Sequence, residues 1–257
     1  MPVRMIITDL DGTLLRSDKT VSDYTAGVFR RCQERGIKVV FATARAVRVA
    51  KVDTKNIRPD YIIADNGAVV DRGGEIIRRI PIPGYARDEL IARLTVLDEV
   101  SVLAVETGER LITNYNGAPW AGGWGVWNRV YSDFSNGVKD DVTKIIAECA
   151  NLELISGIVG DYKELHLYSY IGEDWRTILH RDATKLAAAA FAAESLGFGL
   201  ESAVAFGDDY NDLDMLRGCG IGVAMGNAIA EAKAAADFVC GTNDGDGAAR
   251  WLEENVL

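Results

Sequence analysis

Histidine and cysteine are scarce in this sequence, with two and four in 257 residues. Cys32, Cys149, Cys219 and Cys240 show none of the paired spacings of a disulfide framework or a zinc site, and read as buried, reduced thiols. Positive charge is also in deficit, with 28 Lys and Arg against 38 Asp and Glu for a formal charge of −10. That balance argues against a nucleic-acid partner, because phosphate backbones are bound by basic surfaces. It leaves room for a small phosphorylated ligand, since one pocket can be locally cationic, above all around a metal. No apolar run approaches the roughly 18 residues needed to span a bilayer, and no basic-plus-apolar leader stands at the N-terminus. The expectation is a cytoplasmic protein with no membrane partner. No internal repeat is present, and the only biased stretch is an alanine run near 187–193. The rest, 48% hydrophobic and 26% charged, is ordinary globular composition for one large domain or two smaller ones.

The most informative stretch is Ile6-Ile7-Thr8-Asp9-Leu10-Asp11-Gly12-Thr13. An apolar run predicts a buried parallel strand, and such strands deliver ligand-binding groups at their C-terminal ends. Residues two apart in an extended segment point the same way, so Asp9 and Asp11 can share a pocket. Gly12 allows a sharp exit. Neighbouring carboxylates repel and need a proton, a cation or solvent. Asp9 is then a nucleophile beside an acid/base Asp11, or both belong to a metal site, and the two readings are compatible. Alone, the stretch could equally be an acidic turn.

Ser22 reads as the N-cap of a helix carrying Thr25, Val28, Phe29 and Cys32 and ending at Gly36. Ile37–Thr43 and Tyr61–Asp65 read as strands, with residues 45–56 helical between them and Asn66-Gly67 a turn. This alternation predicts an α/β fold, a doubly wound, Rossmann-like parallel sheet. From Pro83 the pattern changes. Tyr85–Asp98 is expected to be a helix, Ser101–Glu106 and Arg110–Asn114 strands, Lys139–Ala150 a helix, and Leu152–Val159 and Glu164–Tyr170 strands. Regular alternation resumes near Asp182, with a helix from Lys185 to Leu196 closed by Gly197. A strand follows at Ala203–Gly207, then short strands at Ile221–Met225 and Asp237–Cys240 around a helix at Ala228–Ala236, and a terminal helix at Gly247–Glu254. The expected organisation is a core of residues 1–82 and 184–257, with an α+β domain of residues 83–183 inserted into it.

The strand before Asp208-Asp209-Tyr210-Asn211-Asp212 ends as the first one does. If the two strands are parallel neighbours, Asp9, Asp11 and Asp208 meet at one sheet edge with Asp209 and Asp212 close by. So many like charges require a cation. Only oxygen ligands are on offer, which favours Mg²⁺ over Zn²⁺.

These stretches together resemble the haloacid-dehalogenase-like phosphatases over essentially the whole chain. Asp9-Leu10-Asp11-Gly12-Thr13 matches the first motif of that family, Thr43 the second, Lys185 the third and Gly207–Asp212 the fourth. The large insertion between the second and third motifs, the Asn66-Gly67-Ala68 turn and the Gly222–Ala228 segment are similar to the Cof-type sugar-phosphatase branch, whose α/β cap reads the substrate. The resemblance implies that Asp9 attacks phosphorus to form an aspartyl-phosphate, and that Asp11 protonates the leaving alcohol and then activates water. It implies Mg²⁺ held by the Asp9 carboxylate, the Asp11 backbone carbonyl and Asp208. Thr43, Lys185 and Asn211 would bind phosphate, with Asp212 orienting the Lys185 amine or a metal-bound water, or else serving as a helix cap. Arg45 would contact substrate or form a surface salt bridge.

Two positions depart from the branch. Leu186 stands where glycine often follows the lysine, which questions the local helix start. Asp209 stands where glycine is common, facing solvent or raising the demand for cation. In the insertion, Trp120, Trp124 and Trp127 among glycines could stack on a sugar, although packing within the cap is the stronger expectation. His166 reads as cap-sheet surface, and His180 could approach substrate. The expected substrate is a small phosphorylated metabolite, with sugar phosphates the expected class, and the expected assembly a monomer or homodimer. A phosphomutase and a non-catalytic phosphate-binding protein are the rivals, and retention of Asp9 disfavours the second.

Overall fold

The computed structural model describes residues 2–50, 54, 57–117, 128–169 and 174–257. Trp120, Trp124 and Trp127 lie outside the described residues. In chain order the elements are β1 (Met5–Thr8), α1 (Asp23–Glu34), β2 (Lys38–Ala42), α2 (Val47–Ala50), β3 (Tyr61–Ala64), β4 (Val69–Arg72) and β5 (Glu75–Arg79). Next come α3 (Gly84–Thr95), β6 (Val102–Glu106), β7 (Leu111–Thr113), β8 (Arg129–Tyr131), β9 (Lys144–Glu148), α4 (Leu152–Gly160), β10 (Leu165–Ser169) and β11 (Trp175–His180). The chain closes with α5 (Lys185–Ser195), β12 (Ala203–Gly207), α6 (Leu213–Gly218), β13 (Ile221–Ala224), α7 (Ala230–Ala235), β14 (Phe238–Val239) and α8 (Gly247–Asn255). Two compact units result. One comprises Met1–Arg45, Ala50–Arg78 and Thr184–Leu257, the other Ala46–Val49 and Arg79–Ala183.

The first unit is built on a sheet of order β14-β13-β12-β1-β2-β3-β4-β5. β1 sits at its centre, parallel to β12 on one side and β2 on the other. All four residues of β1 are buried, as expected of a strand covered on both faces. Met5 and Ile7 pack with Val40, Ala42, Ala205 and the alanines of α5 (Ala188, Ala189, Ala192, Ala193). Alanine there lets the helix lie close to the sheet. On the opposite side Phe206 meets Trp251 of α8 edge-on, with ring centroids 5.6 Å apart. α1 is capped as its sequence suggested, the Ser22 hydroxyl accepting the Thr25 N–H.

The second unit is a six-stranded sheet of order β10-β11-β9-β6-β7-β8. Leu103, Val105, Ile145, Ala147 and Ile178 pack against Leu90, Ile91 and Leu94 of α3 and Ile155, Ile158 and Val159 of α4. Two expectations fail in this unit. The helix expected over Lys139–Ala150 is instead β9, which lies between β11 and β6 and pairs antiparallel with both. Its Ile145 and Ala147 alternate into the core, and period-2 burial overrode local helix propensity. The strand expected at Leu152–Val159 is α4, N-capped by the Asn151 side chain on the Leu154 N–H. Its buried Ile155, Ile158 and Val159 follow the i, i+3, i+4 spacing of a helix. Strands β4 and β5 of the first sheet, and β8 and β11 of this one, were not expected at all. Between Arg45 and Asn56 only Val47–Ala50 is helical among the described residues.

Cys32, Cys149 and Cys219 are buried and Cys240 is half-buried, and all four are free thiols. Burial pushes Cys219 up to about 12.

Candidate active site

β1 and β12 are adjacent and parallel, so both acidic turns emerge at the same end of the sheet. The Asp9 N–H still donates to the Phe206 carbonyl, at 3.1 Å. Three residues on, the chain folds back at Gly12, whose φ is +79°. A Cβ on Gly12 would lie 2.3 Å from Asp208 Oδ2, so only glycine lets the first turn close over the second. Thr13 Oγ1 donates to Asp208 Oδ1 at 2.7 Å, and Asn227 Nδ2 donates to the Gly12 carbonyl at 2.8 Å.

Asp212 is the fully buried knot of the second turn. Its Oδ2 accepts the N–H groups of Asp208 (2.8 Å) and Asp209 (3.1 Å), while Oδ1 accepts Lys185 Nζ at 2.6 Å. Asp212 therefore both orients the lysine and closes its own turn. Asp209 points to the turn as well, accepting the Tyr210 N–H at 2.8 Å.

Lys185 opens α5 directly after its N-cap, Thr184, whose hydroxyl accepts the Ala187 N–H at 3.1 Å. The ammonium is 1% exposed and also donates to Asp9 Oδ1 at 2.6 Å. Leu186 does not disturb this helix start. It packs against the core, where a Cβ on Gly218 would meet its Cδ1 at 2.6 Å. The opening of α5 is instead pressed by the turn at Asp65-Asn66-Gly67, all three in left-handed backbone conformations. A Cβ on Gly67 (φ +104°) would sit 2.1 Å from the Thr184 carbonyl oxygen. Gly67→Ala is therefore expected to displace the first turn of α5, lowering turnover at least about tenfold and stability by roughly 1–3 kcal/mol. Parallel kinetics and thermal melts check this, and unchanged kinetics would show that the lysine tolerates a shifted helix start.

Asn66 is buried and its Oδ1 accepts Asn211 Nδ2 at 2.9 Å, tying two expected phosphate-site segments together. Thr43 is buried at the end of β2, its Oγ1 accepting the Arg45 N–H at 3.2 Å.

Carboxylate oxygens of Asp9, Asp208 and Asp212 lie within 4.8 Å of one another. Burial, then the Asp212 and Asp208 charges, hold the Asp9 carboxyl well above the ordinary range even though Lys185 pulls it down. Burial and the Asp212 charge push Asp208 up to about 7. Burial disfavours the Lys185 ammonium, but Asp212 and Asp9 more than restore it, and its pKa is raised. Three carboxylates around one ammonium leave negative charge uncompensated, and Asp212 has both oxygens engaged. Asp9 and Asp208 remain as hard oxygen donors suited to a divalent cation.

This arrangement has a pH signature. Asp208 binds its proton more tightly folded than unfolded, so between about pH 4 and 7 the metal-free protein loses stability as pH rises. A cation competes with that proton. Added Mg²⁺ is expected to raise Tm by several degrees at pH 8 and hardly at all at pH 5, and an equal shift at both would remove Asp208 as a ligand.

Asp11 lies apart from this cluster. Arg45 forks onto its carboxylate (Nε to Oδ2, 2.7 Å; an η nitrogen to Oδ1, 2.6 Å), and Lys19 Nζ reaches Oδ1 at 2.8 Å. Burial alone would raise its pKa, but these hydrogen bonds and charges bring it below the ordinary value. Arg45 is thus in an ion pair, with 14% of its side chain exposed. His180 accepts the Asp182 N–H through Nδ1, and His166, the exposed residue of β10, stacks edge-on with Tyr168. Sequence reasoning missed Lys19 and the parts played by Thr13 and Asn227. Their partners are up to 215 residues away, and nothing local marks them.

The chain matches the haloacid dehalogenase-like hydrolase family over residues 6–252 and belongs to it. The Bacillus subtilis protein YitU, a 5-amino-6-(5-phospho-D-ribitylamino)uracil phosphatase, is 28% identical over 272 residues, 97% of this chain and 96% of that one. Among solved structures, BT1666 from Bacteroides thetaiotaomicron, a phosphatase of the same superfamily, superposes with a TM-score of 0.85 at 25% identity. The match covers 100% of this chain and 96% of that chain. The subclass IIB sugar phosphatase BT4131 shares the fold with a TM-score of 0.85 at 22% identity, over 99% and 100% of the two chains. Among the described residues no helix is long and apolar enough to cross a membrane.

Proposed function

We propose that this chain is a Mg²⁺-dependent phosphatase that hydrolyses small phosphate monoesters, sugar phosphates among them, through an aspartyl-phosphate on Asp9. The observation that carries the reading is the buried Lys185 ammonium, 2.6 Å from both Asp9 and Asp212, beside Asp208 at the ends of two parallel strands. Phosphatase names among the relatives support the reaction class.

Lys185 anchors the Asp9 carboxylate through Oδ1, which leaves Oδ2 to attack phosphorus. Asp11, two residues further on, is ionised while Arg45 and Lys19 hold it; it takes a proton from solvent, gives it to the leaving oxygen, and then takes one from the water that splits the acyl phosphate. Thr43 and Asn211 donate to the phosphoryl oxygens, and Lys185 adds its charge at the opening of α5. Asp9 and Asp208, with the Asp11 backbone carbonyl, would hold the Mg²⁺. When bound, it supplies positive charge that lets an anionic nucleophile meet an anionic ester. The residues of the second unit would select the alcohol, and Asp212 and Asp209 keep the second turn in shape.

Phosphate release from a panel of sugar, nucleotide and cofactor phosphates, with Mg²⁺ and with chelator, tests this. Metal-dependent release is the expected result. Transfer between sugar positions without release would make the chain a mutase instead.

A further inference from the structure

The clamp on Asp11 holds more positive charge than Asp11 neutralises, since two cations, Lys19 and Arg45, share one carboxylate. We propose that Lys19 and Arg45 form a second anion subsite on the leaving side of the ester. Preferred substrates are then phosphomonoesters whose alcohol carries a carboxylate or a second phosphate close to the ester oxygen. This rests on the reading of Asp11 as the group that serves the leaving oxygen.

Three observations converge. The first is geometric. Arg45 and Lys19 place three hydrogen bonds on the two Asp11 oxygens. Asp11 cannot turn an oxygen to the leaving group without giving up part of that set. The Arg45 side chain is 14% exposed, and a largely desolvated guanidinium without a partner is strongly unfavourable. An anion on the substrate fills the place that Asp11 leaves.

The second concerns Lys19. Its φ is +65°, a conformation that lysine rarely takes and that persists only where its surroundings enforce it. They do so here. Arg16 N–H donates to the Thr20 carbonyl (2.9 Å) and Lys19 N–H to the Arg16 carbonyl (2.8 Å). Asp18 Oδ1 accepts the N–H and hydroxyl of Thr20 at 2.9 and 2.6 Å. Glycine or asparagine would suit the position better, so the turn gains nothing from lysine, and what the residue adds is an ammonium on Asp11.

The third is reach. The cationic nitrogens lie 2.6–2.8 Å from Asp11 oxygens, and a hydrogen bond from Asp11 to the leaving oxygen adds about 2.7 Å. The cationic nitrogens therefore come within about 5.5 Å of the leaving oxygen, and an anion that accepts from them on the side facing the ester lies two to four bonds along the alcohol. A carboxylate and a phosphate share this chemistry.

Matched substrate pairs test the proposal: 2-phosphoglycolate against 2-hydroxyethyl phosphate, 3-phosphoglycerate against glycerol 3-phosphate, and ethylene glycol bisphosphate against 2-hydroxyethyl phosphate. In the wild type, kcat/KM is expected to be at least about tenfold higher for the more anionic member of a pair. Lys19→Ala and Arg45→Gln should each reduce that ratio to about threefold or less. The ratio is the readout because poorer positioning of Asp11 lowers both members alike. Lys19 is exposed and its loss threatens folding little, so it tests the proposal even if the Arg45 variant is unstable. Preference in the carboxylate pairs alone or the bisphosphate pair alone supports the subsite and identifies its anion. Equal kcat/KM within every wild-type pair, or a preference that survives both substitutions, overturns the subsite and leaves the phosphatase reading intact. Failure to hydrolyse any ester overturns both.

Discussion

Asp9→Asn is expected to lower turnover by roughly 10⁴-fold or more while the protein stays folded. An amide is isosteric with the carboxylate and its oxygen can still accept from Lys185, now 2.6 Å from Asp9 Oδ1. It cannot attack phosphorus or carry charge to a cation. Stability should not fall with activity. Asp9 is buried beside Asp212 and Asp208, which raise its pKa. A carboxyl whose pKa is raised on folding weakens the fold at pH values above its unfolded pKa. Near pH 8 without metal, the variant should therefore melt at or above the wild-type temperature, and it should lose most of the Mg²⁺-induced rise. Steady-state phosphate release and thermal melts with and without Mg²⁺ check both halves. Turnover within tenfold of wild type would eliminate Asp9 as the nucleophile.

The first unit was legible because its strands are short, apolar and closed by turns that only a few residues can make. Ile6-Ile7-Thr8 and Ala203–Gly207 read as buried strands and are the neighbours β1 and β12. The second unit was not legible to the same degree. Lys144–Glu148 carries two isoleucines and an alanine between charged ends, which fits a helix turn as well as a strand. Its pairing with β6 and β11, across sequence gaps of about 40 and 30 residues, decided the outcome. Leu152–Gly160 posed the reverse problem, nine residues, apolar apart from Glu153 and Ser156, too few for periodicity to separate strand from helix. The Asn151 cap was the signal that could have settled it.

At the site, the four carboxylates could be named because charge cannot sit at a buried strand end without a reason, whereas Lys185, at a helix start, could be named only through the family resemblance. What the sequence could not show is how these groups divide. Asp11 reads as a twin of Asp9, yet it faces Arg45 and Lys19 while Asp9 faces Lys185. Asp212 was open between orienting the Lys185 amine, orienting a metal-bound water and capping a helix, and its side chain holds both the lysine and two backbone N–H groups at once. Side-chain direction at a turn depends on partners far along the chain, and those partners have no local imprint.

Lys185→Met is the second large effect, and it falls on stability as well as activity. Methionine keeps the length of the side chain and removes the charge, so Asp9 and Asp212 lose their common partner in a site where both are buried. Removing one member of a buried ionic group costs about 3–5 kcal/mol, or about 6–20 °C in Tm for a chain of this size. The deficit should depend on pH with a definite sign. Lys185 lowers the Asp9 pKa, so without it the folded protein holds protons on its carboxylates to higher pH. The loss should be greatest near pH 8 and shrink on acidification towards pH 5. Turnover should fall about 10³-fold, as for loss of a charged group aimed at the reacting phosphoryl. Combining the substitution with Asp9→Asn removes one of the two stranded carboxylates, so the double variant should be more stable than Lys185→Met alone. Melts of the four proteins across that pH range decide the matter. A Lys185→Met protein as stable as wild type at pH 8 would mean that the lysine offsets no buried charge, and the ion-pair account of the site would have to be abandoned.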